Sequence, residues 1–196
     1  MISLGITGGI GSGKSYVCNL LAGMGASVYD TDREAKRLMA EHREIRRELV
    51  DLLGDEAYLP DGSVNKPFLA SYLFASTDHA RRINSIVHPR VREDFRRWLA
   101  TADSALGLAV LETAILYESG FDREVDHVLM VYAPVQLRVS RTVARDRAIE
   151  EAVRSRMAAQ MDDETKVRLA DFVLTNDGQT PLQPQLDKLL EALHLR

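Results

Sequence analysis

The stretch GITGGIGSGKSYV (residues 5–17) decides the fold of this 196-residue chain. It holds five glycines within nine positions, from Gly5 to Gly13, and then continues into Lys14 and Ser15. Glycine is costly for stability because it loses more backbone freedom on folding than any other residue. So dense a cluster therefore indicates a backbone that must turn tightly or approach another group closely.

Residues 8–15 match the pattern G-x-x-x-x-G-K-[ST] of a phosphate-binding loop. The apolar run before them predicts a buried strand, and the segment 15–24 after them has apolar residues on one helical face. In this context backbone N–H groups point at phosphate oxygens, aided by the positive end of the helix. We expect Lys14 to reach the β- and γ-phosphates and Ser15 to ligate Mg²⁺. The residues predicted to bind the nucleotide here are Gly8, Gly9, Ile10, Gly11, Ser12, Gly13, Lys14, Ser15 and Tyr16.

Composition and charge narrow the class of protein. Hydrophobic residues make up 45% of the chain and charged residues 28%, which is typical of a soluble globular protein. The net charge of −4 argues against a partner nucleic acid, and no apolar run is long enough to span a membrane. The single cysteine, Cys18, excludes an intramolecular disulfide and fits a reducing compartment. The first residues lack a basic segment before an apolar run, so we expect no signal peptide and a cytoplasmic location.

Short apolar runs alternate with helical segments, which predicts an α/β protein with a parallel sheet covered on both faces. Together with the phosphate-binding loop this indicates the three-layer P-loop NTPase fold. Five strands of one parallel sheet are expected at ISLGI (2–6), ASVYD (26–30), LGLAVLETA (106–114), DHVLMVYA (126–133) and ADFVLTN (170–176).

The long helical segments define the predicted organisation of the single domain. Residues 31–103 contain no convincing strand and are expected to form a helical acceptor-binding insertion. Within them, 77–103 is predicted to form two helices broken near His88-Pro89, because proline disfavours helix in the residue before it. The arginine-rich region 134–169 is predicted to be a lid. The core of the domain is then expected in 1–30, 104–133 and 170–196.

A phosphate-binding loop is shared by kinases, GTPases and motor-type ATPases. A GTPase would need an Asn-Lys-x-Asp element late in the sheet. The one Asn-Lys pair, Asn65-Lys66, is not followed by that Asp and lies in the helical insertion. A small-molecule kinase needs an acceptor-binding insertion, a base and an arginine-bearing cover, which suits this chain better.

The candidate base follows the second strand, in the segment YDTDR (29–33). Carboxyl ends of parallel strands meet at one edge of a sheet, so this segment is expected near the phosphate site. Thr31 and Glu34 have the spacing of a capping box, which places Asp32 at the start of a helix whose dipole favours the ionised carboxylate. Such a carboxylate can orient a hydroxyl and finally accept its proton. Spacing alone leaves open that Asp30 and Asp32 only cap the helix.

Five segments follow one another along the chain: GITGGIGSGKS, VYDTDREAKRLM, DGSVNKPFLASYLFAS, NSIVHPRVR and AAQMDDETKVRLADFVLTNDG. In this order they resemble the motifs of the dephospho-CoA kinase family, from Ile2 to about Leu190. The resemblance implies transfer of the ATP γ-phosphoryl group to the ribose 3′-hydroxyl of 3′-dephospho-CoA, the last step of coenzyme A synthesis. It implies ATP and Mg²⁺ as cofactors, and Asp32 as the general base.

The chain departs from that family's pattern at two positions. The family usually has threonine directly after Gly-Lys-Ser, where this chain has Tyr16. At the end of the third strand the family commonly has aspartate, where this chain has Glu112, which is one methylene longer. We expect Glu112 to contact the acceptor or to act on Mg²⁺ indirectly. The alternative is that it caps a helix or lies on the surface.

Three arginines of the predicted lid, Arg138, Arg141 and Arg145, share one helix face. A closing lid would bring guanidinium groups to the transferring phosphoryl, because their planar fork binds phosphate oxygens bidentately. Arg141 and Arg145 match lid positions in the family and are predicted to be catalytic, together with Lys14 and Asp32. A solvated basic face is the alternative for all three arginines.

The remaining site residues belong to the acceptor and the adenine. Acceptor contacts are predicted for Asp30, Asp32, His88, Arg90, Arg92 and Glu112. Arg90 is the leading candidate among these arginines because the segment resembles the family's His-Pro-x-x-Arg pattern, although the arginine of that pattern falls at Arg92. We therefore predict acceptor contacts for both. The alternatives are a solvated face for these arginines and a packing role for His88. Asn176 and Gly178 follow the last strand, where this family's chain passes near the adenine, although a simple turn has the same composition.

The sequence is compatible with three functions. The first is dephospho-CoA kinase, with 3′-dephospho-CoA as its small-molecule partner and no membrane or nucleic-acid partner, as a monomer or small homo-oligomer. The second is a P-loop kinase of another small hydroxylated metabolite. The third is a nucleotide-dependent switch ATPase, which would hydrolyse ATP slowly without a phosphorylated small product.

Overall fold

The computed structural model describes residues 1–195, the side chain of Phe74 excepted. One parallel sheet of five strands, in the order β2-β3-β1-β4-β5, runs through it. The strands are β1 (Ile2–Thr7), β2 (Ser27–Asp30), β3 (Leu108–Glu112), β4 (His127–Tyr132) and β5 (Phe172–Thr175). All five lie within the predicted strand segments or extend them by one residue, so the parallel-sheet prediction is confirmed.

Helices connect the strands. They are α1 (Lys14–Gly23), α2 (Thr31–Glu41), α3 (Arg43–Leu53), α4 (Lys66–Ala75), α5 (Thr77–Thr101), α6 (Val135–Asp146), α7 (Glu150–Ala158), α8 (Asp163–Leu169) and α9 (Leu182–Ala192). Short 3-10 turns lie at Asp55–Ala57 and Phe121–Glu124. Within residues 1–195 we find no helix with both the length and the apolar character that crossing a membrane requires.

The chain divides into two compact units. One contains Met1–Asp30 and the chain from Thr101 onward, and the other contains Thr31–Ala100. The first unit holds the sheet and its core. Fully buried residues of that core come from the strands and from α1 and α9: Leu4, Ile6, Val17, Leu21, Leu108, Val110, Val131, Leu186 and Leu190. Such near-continuous burial of the strands requires helices on both faces of the sheet.

The parallel register determines what meets at the carboxyl edge of the sheet. Glu112, the last residue of β3, pairs with Asp30 at the end of β2. On its other side Glu112 pairs with Ile6 of β1. The glycine-rich loop begins two residues after Ile6. Two carboxylates and this loop therefore lie at the same edge of the sheet.

In the second unit, α5 is one continuous helix through Pro89, so the predicted break near His88-Pro89 is wrong. Its buried face, formed by Ile83, Val87, Val91 and Phe95, continues past the proline at helical spacing. Pro89 itself is on the exposed face, as is Ser85 one turn before it. Water can therefore hydrogen-bond to the Ser85 carbonyl that loses its helical partner, and burial of the apolar face sustains the helix.

Candidate active site

The loop between β1 and α1 has a backbone that only glycine can supply at key positions. Gly11 and Gly13 have φ angles of +80° and +95°, which L side chains rarely adopt. A Cβ at Gly11 would lie 2.4 Å from the carbonyl oxygen of Arg138, and one at Gly13 would lie 2.2 Å from Nδ2 of Asn176. The glycines therefore allow the loop to lie directly against α6 and the chain after β5.

The amino terminus of α1 is open to an anion. Gly13 is its N-cap, with no side-chain cap hydrogen bond and no acidic residue in the first turn. Side chains of His42, Asn65 and Asp162 accept hydrogen bonds at the starts of α3, α4 and α8, whereas α6, α7 and α9 lack a side-chain cap as α1 does. Among the uncapped starts, that of α1 is the one that follows the glycine-rich loop. The first N–H groups of a helix have no acceptor within it, and they carry the positive end of its dipole. A nucleotide phosphate is a chemical match for this helix start.

Lys14, the first residue of α1, folds back over the loop. Its Nζ donates a hydrogen bond of 3.1 Å to the carbonyl oxygen of Gly8. The ammonium group therefore lies over the loop that leads into the uncapped start of α1. The lysine and the positive end of the helix dipole together make this loop attractive to an anion. The arrangement is suited to the β- and γ-phosphates of a nucleoside triphosphate.

An oxygen-rich cluster lies beside this loop. The Ser15 hydroxyl donates to Oε1 of Glu112 across 2.5 Å. Asp30 is the register partner of Glu112 on the neighbouring strand. Cys18, on the next turn of α1, has a thiol whose pKa is raised by burial and then by the charge and hydrogen bond of Glu112. A hydroxyl and carboxylates are the ligands that Mg²⁺ prefers, so the residues present fit that ion.

The other side of the loop is held by residues far along the chain. Gln160 accepts a 3.1 Å hydrogen bond from the backbone N–H of Ile10. Arg138, only 5% exposed, donates to the carbonyl oxygens of Ile10 at 3.4 Å and Ala133 at 3.1 Å, and it forms an ion pair with Asp163. Both backbone polar groups of Ile10 are thus bound by side chains from the 134–169 region.

Asn176 binds the loop near the start of α1. Its Nδ2 donates 2.8 Å to the carbonyl oxygen of Ser12, and the contact is buried. The carbonyl oxygen of Asn176 in turn accepts a 3.0 Å hydrogen bond from Nη1 of Arg141. This asparagine therefore connects the phosphate loop with an arginine of α6.

These features together describe a nucleotide phosphate site with an adjoining oxygen cluster. The sequence model of the dephospho-CoA kinase family matches residues 2–181 of the chain. The chain belongs to the dephospho-CoA kinase family. It is accordingly an ATP-dependent phosphotransferase, and the motif resemblance found in the sequence is confirmed.

Relatives named dephospho-CoA kinase align along almost the whole chain. The protein from Bacteroides fragilis is 51% identical over 98% of this chain and 93% of its own length. The protein from Salinibacter ruber is 42% identical over 91% of this chain and 90% of its own length.

Solved structures agree on the fold. A crystal structure of a Thermus thermophilus protein, 34% identical, superposes with a TM-score of 0.81 and covers 98% of this chain and 96% of that one. Dephospho-CoA kinase from Campylobacter jejuni gives 0.68 at 19% identity over 98% and 95% of the two chains. Shikimate kinase from Acinetobacter baumannii gives 0.55 at 15% identity over 99% and 93%. The last two likenesses concern the fold alone, and they confirm the P-loop kinase architecture.

In this dephospho-CoA kinase family member, the structure brings several predicted residues together. Lys14, Ser15, Asp30 and Glu112 lie at one edge of the sheet, and Asn176 contacts the opposite side of the same loop. The alternative of a solvated face does not apply to the side chain of Arg138, because this residue is only 5% exposed. It is buried against the loop, where helical spacing alone could not place it.

Other predicted residues lie on the surface of the first unit. Tyr16 is 58% exposed, and Gly178 is an exposed residue with φ of +83°. Arg145 donates to Asp146 at 2.7 Å, and Arg156 donates to the same carboxylate at 2.9 Å. Hydrogen bonds from these two arginines lower the pKa of Asp146 to about 2. The nucleotide and lid roles of Tyr16, Gly178 and Arg145 stay predictions.

Four of the predicted acceptor residues lie in the second unit: Asp32, His88, Arg90 and Arg92. Asp32 lies in the first turn of α2. On α5, Arg90 donates to Glu48 at 2.6 Å. Burial, followed by the charge of Arg92, lowers the pKa of His88. Their acceptor roles stay predictions.

Sequence reasoning missed the contacts of Gln160 and Asp163 with the phosphate-loop side of the molecule. Both lie in the segment AAQMDDETK, which is part of a motif resembling that of the family but whose residues have no predicted role. The signal was therefore present, although nothing in its local pattern indicates a contact with a loop 150 residues away.

Proposed function

We propose that the protein transfers the γ-phosphoryl group of ATP to the ribose 3′-hydroxyl of 3′-dephospho-CoA, giving CoA and ADP. The observation that carries the proposal is the uncapped start of α1 beside the Ser15–Glu112 pair, in a chain of this family. The first is suited to phosphate and the second to the metal ion that accompanies it. The single cysteine supports a cytoplasmic site of action.

The phosphate loop is proposed to bind the nucleotide through backbone N–H groups of residues 8–15. Lys14 would exchange its contact with the Gly8 carbonyl for the β- and γ-phosphates, which are stronger acceptors because they are charged. Asn176 and Gly178 are proposed to border the adenine. The contact of Asn176 with Ser12 supports this, because it brings the chain after β5 to the loop.

Ser15 and Glu112 are the residues proposed to hold Mg²⁺, Ser15 directly and Glu112 from a position behind it. When bound there, the ion would supply positive charge that offsets the negative charge developing on the transferred phosphoryl group. The protein itself orients the Ser15 hydroxyl, because this group donates a hydrogen bond to the Glu112 carboxylate. Glutamate in place of the family's usual aspartate extends this reach by one methylene.

Asp32 is proposed to orient the acceptor hydroxyl and to receive its proton. Its position in the first turn of α2 puts this carboxylate near the positive end of the helix dipole. A weak base suffices because the transition state of phosphoryl transfer is loose and the acceptor loses its proton late. We assign acceptor binding to residues 31–103, including His88, Arg90 and Arg92.

Residues 134–169 are proposed to act as a lid, with Arg141 and Arg145 as the groups that meet the transferring phosphoryl. Exclusion of water matters because water would otherwise compete with the acceptor hydroxyl and release phosphate. Arg145 must leave Asp146 to take this role, whereas Arg141 already lies beside the carbonyl of Asn176.

The decisive experiment incubates the protein with γ-phosphoryl-labelled ATP and dephospho-CoA and follows the label. Label should appear in CoA at the 3′ position, as determined by phosphorus NMR. CoA itself is the matched control acceptor, because its 3′-hydroxyl is already phosphorylated. Transfer to another hydroxylated metabolite in a panel would support a different kinase. Release of phosphate without any labelled acceptor would support a switch ATPase.

A further inference from the structure

The segment 160–166 joins α7 to the first turn of α8. It contacts two walls of the phosphate site: the phosphate loop, and the chain that follows β3. We propose that Gln160 and Lys166 are positioning residues, the first for the phosphate loop and the second for the chain that carries Glu112. The inference rests on the proposed function in one respect: the phosphate loop is taken as the nucleotide site, and the chain that carries Glu112 is taken as part of the metal site. Each residue is expected to affect a different ligand.

Gln160 holds the first wall. Its Oε1 accepts the N–H of Ile10 at 3.1 Å, while the carbonyl of Ile10 accepts from Arg138, the ion-pair partner of Asp163. The N–H of Ile10 belongs to the peptide between residues 9 and 10, and its carbonyl belongs to the peptide between residues 10 and 11. The segment 160–166 therefore binds the first of these two successive peptides directly and the second through Arg138. One hydrogen bond on each peptide restricts the rotation of both, and their orientation determines where the next N–H groups of the loop point.

Lys166 holds the second wall. Its side chain is fully buried, with Nζ 2.8 Å from the carbonyl oxygen of Ala114 and 3.2 Å from Oε1 of Glu118. Ala114 lies two residues after Glu112, where the chain leaves β3. The same Glu118 oxygen accepts the N–H of Met161 at 2.9 Å. The loop after β3 is thus bound to the segment 160–166 at two points, Ala114 and Glu118.

A buried ammonium is an expensive way to fill space, because its charge loses hydration. A methionine of similar length would occupy the same volume without that cost. What methionine cannot do is bind a backbone carbonyl and a carboxylate at once, and so determine the path of the chain behind Glu112. A purely structural role predicts loss of stability alone. The positioning role predicts a selective effect on ligands.

The Gln160 test compares Gln160→Met, which removes the acceptor, with Gln160→Glu, which retains it. Gln183→Met is the matched control, since Gln183 is exposed on α9. Affinity for a fluorescent ADP should fall about 5- to 10-fold in Gln160→Met, as expected for one lost hydrogen bond. The KM for ATP should rise by the same factor, with kcat changed less. Gln160→Glu retains the acceptor but adds a negative charge that repels the phosphates, so it should recover part of this affinity at high ionic strength, where that repulsion is screened. Wild-type ADP affinity in folded Gln160→Met would overturn the role of Gln160.

The Lys166 test measures ADP binding as a function of Mg²⁺ concentration. In Lys166→Met the Mg²⁺ concentration for half-maximal binding should rise about 10-fold, while binding without Mg²⁺ stays unchanged. Lys188→Met, at an exposed position of α9, is the control. If Lys166→Met does not fold, Glu118→Gln replaces it and should raise the same concentration about threefold. An unaltered Mg²⁺ dependence in the folded variant would overturn the role of Lys166.

These titrations use ADP and need no acceptor, so they are independent of the proposed reaction. If wild-type protein fails to phosphorylate dephospho-CoA but the variants show the selective losses, the reaction is wrong and the positioning roles stand. If dephospho-CoA is phosphorylated and the variants bind ADP and Mg²⁺ normally, the positioning roles are wrong.

Discussion

The hydroxyl of Ser15 lies 2.5 Å from Oε1 of Glu112, which joins the first turn of α1 to the end of β3 across 97 positions of the chain. Because Glu112 is also the register partner of Asp30, this single contact places a hydroxyl and two carboxylates at one edge of the sheet. The pair explains how a glutamate can stand where the family commonly has aspartate. The longer side chain still reaches the serine.

Glu112→Gln should weaken the response to Mg²⁺. The amide retains the size of the side chain but loses the charge that orients the Ser15 hydroxyl. We expect the Mg²⁺ concentration for half-maximal activity to rise about 10- to 100-fold, the usual cost of changing a group behind a metal ligand. Glu191→Gln, at an exposed position of α9, serves as the control. An unchanged Mg²⁺ titration would refute this role of Glu112.

Lys14→Ala should lower kcat/KM by about 10²- to 10³-fold, or roughly 3–4 kcal/mol of transition-state stabilisation. The ammonium over the loop is lost, and no neighbouring cation of α1 replaces it, since Lys14 is the only basic residue in that helix. Steady-state kinetics with both substrates measures the effect, and circular dichroism checks the fold. Near-normal turnover in a native-like Lys14→Ala protein would contradict the assignment.

Asp32→Asn should bind ATP and the acceptor yet transfer the phosphoryl group slowly. The amide retains the hydrogen-bonding shape but cannot accept the hydroxyl proton. Calorimetry gives the two affinities, and single-turnover kinetics gives the transfer rate. Asp30→Asn is the comparison, one position before α2 begins. If Asp30→Asn is inactive while Asp32→Asn works normally, the base is the other carboxylate.

Gly11→Ala should destabilise the protein and abolish nucleotide binding. At φ of +80° the new Cβ would lie 2.4 Å from a backbone oxygen of α6, which cannot move as a side-chain end can. We expect a loss of about 1–3 kcal/mol in the free energy of unfolding. Gly23→Ala is the matched control, because a Cβ there would meet no atom within 4 Å apart from its chain neighbours and the adjacent backbone of α1. That substitution should stabilise α1 by about 0.5–1 kcal/mol. Urea unfolding of both variants tests the contrast, and equal effects would refute it.

Cys18 should be protected from thiol reagents in the folded protein, because its thiol is 2% exposed and its pKa is raised by burial and by Glu112. Labelling in native buffer should be slower than in denaturant by about 10³-fold or more. Above the ordinary thiol pKa of 9.0, the unfolded chain loses a proton that the native state retains, so stability falls as pH rises.

Cys18→Ala removes this ionisation. Between about pH 8 and pH 10, the free energy of unfolding should therefore fall by about 1.4 kcal/mol more in the wild type than in the variant. Urea unfolding at both pH values measures the difference. Rapid stoichiometric labelling of the native protein would show that the thiol is accessible, and identical pH dependence of the two proteins would show that its pKa is not raised in the native state.

The sequence by itself determined the parallel sheet, the phosphate loop and the family, because each is written in contiguous residues. Continuous apolar runs predict buried strands, and Gly8–Ser15 carries its own geometry in the spacing of its glycines. Glu112 and Asp30 could be placed at one edge because parallel strands bring their carboxyl ends together. Each of these features depends on the residue types and spacing within a short segment, and these can be seen directly in the sequence.

Only the tertiary structure decided which distant residues contact each of these segments. Helical spacing put Arg138 on a face with Arg141, but packing against Ile10 made it a buried anchor of the loop. Proline predicted a break that α5 does not have, because Pro89 falls on the exposed face of a helix stabilised by its buried one. Gln160 meets the loop from 150 positions away. Contacts of this kind form because folding brings distant segments together, and the periodicity of a short segment does not predict them.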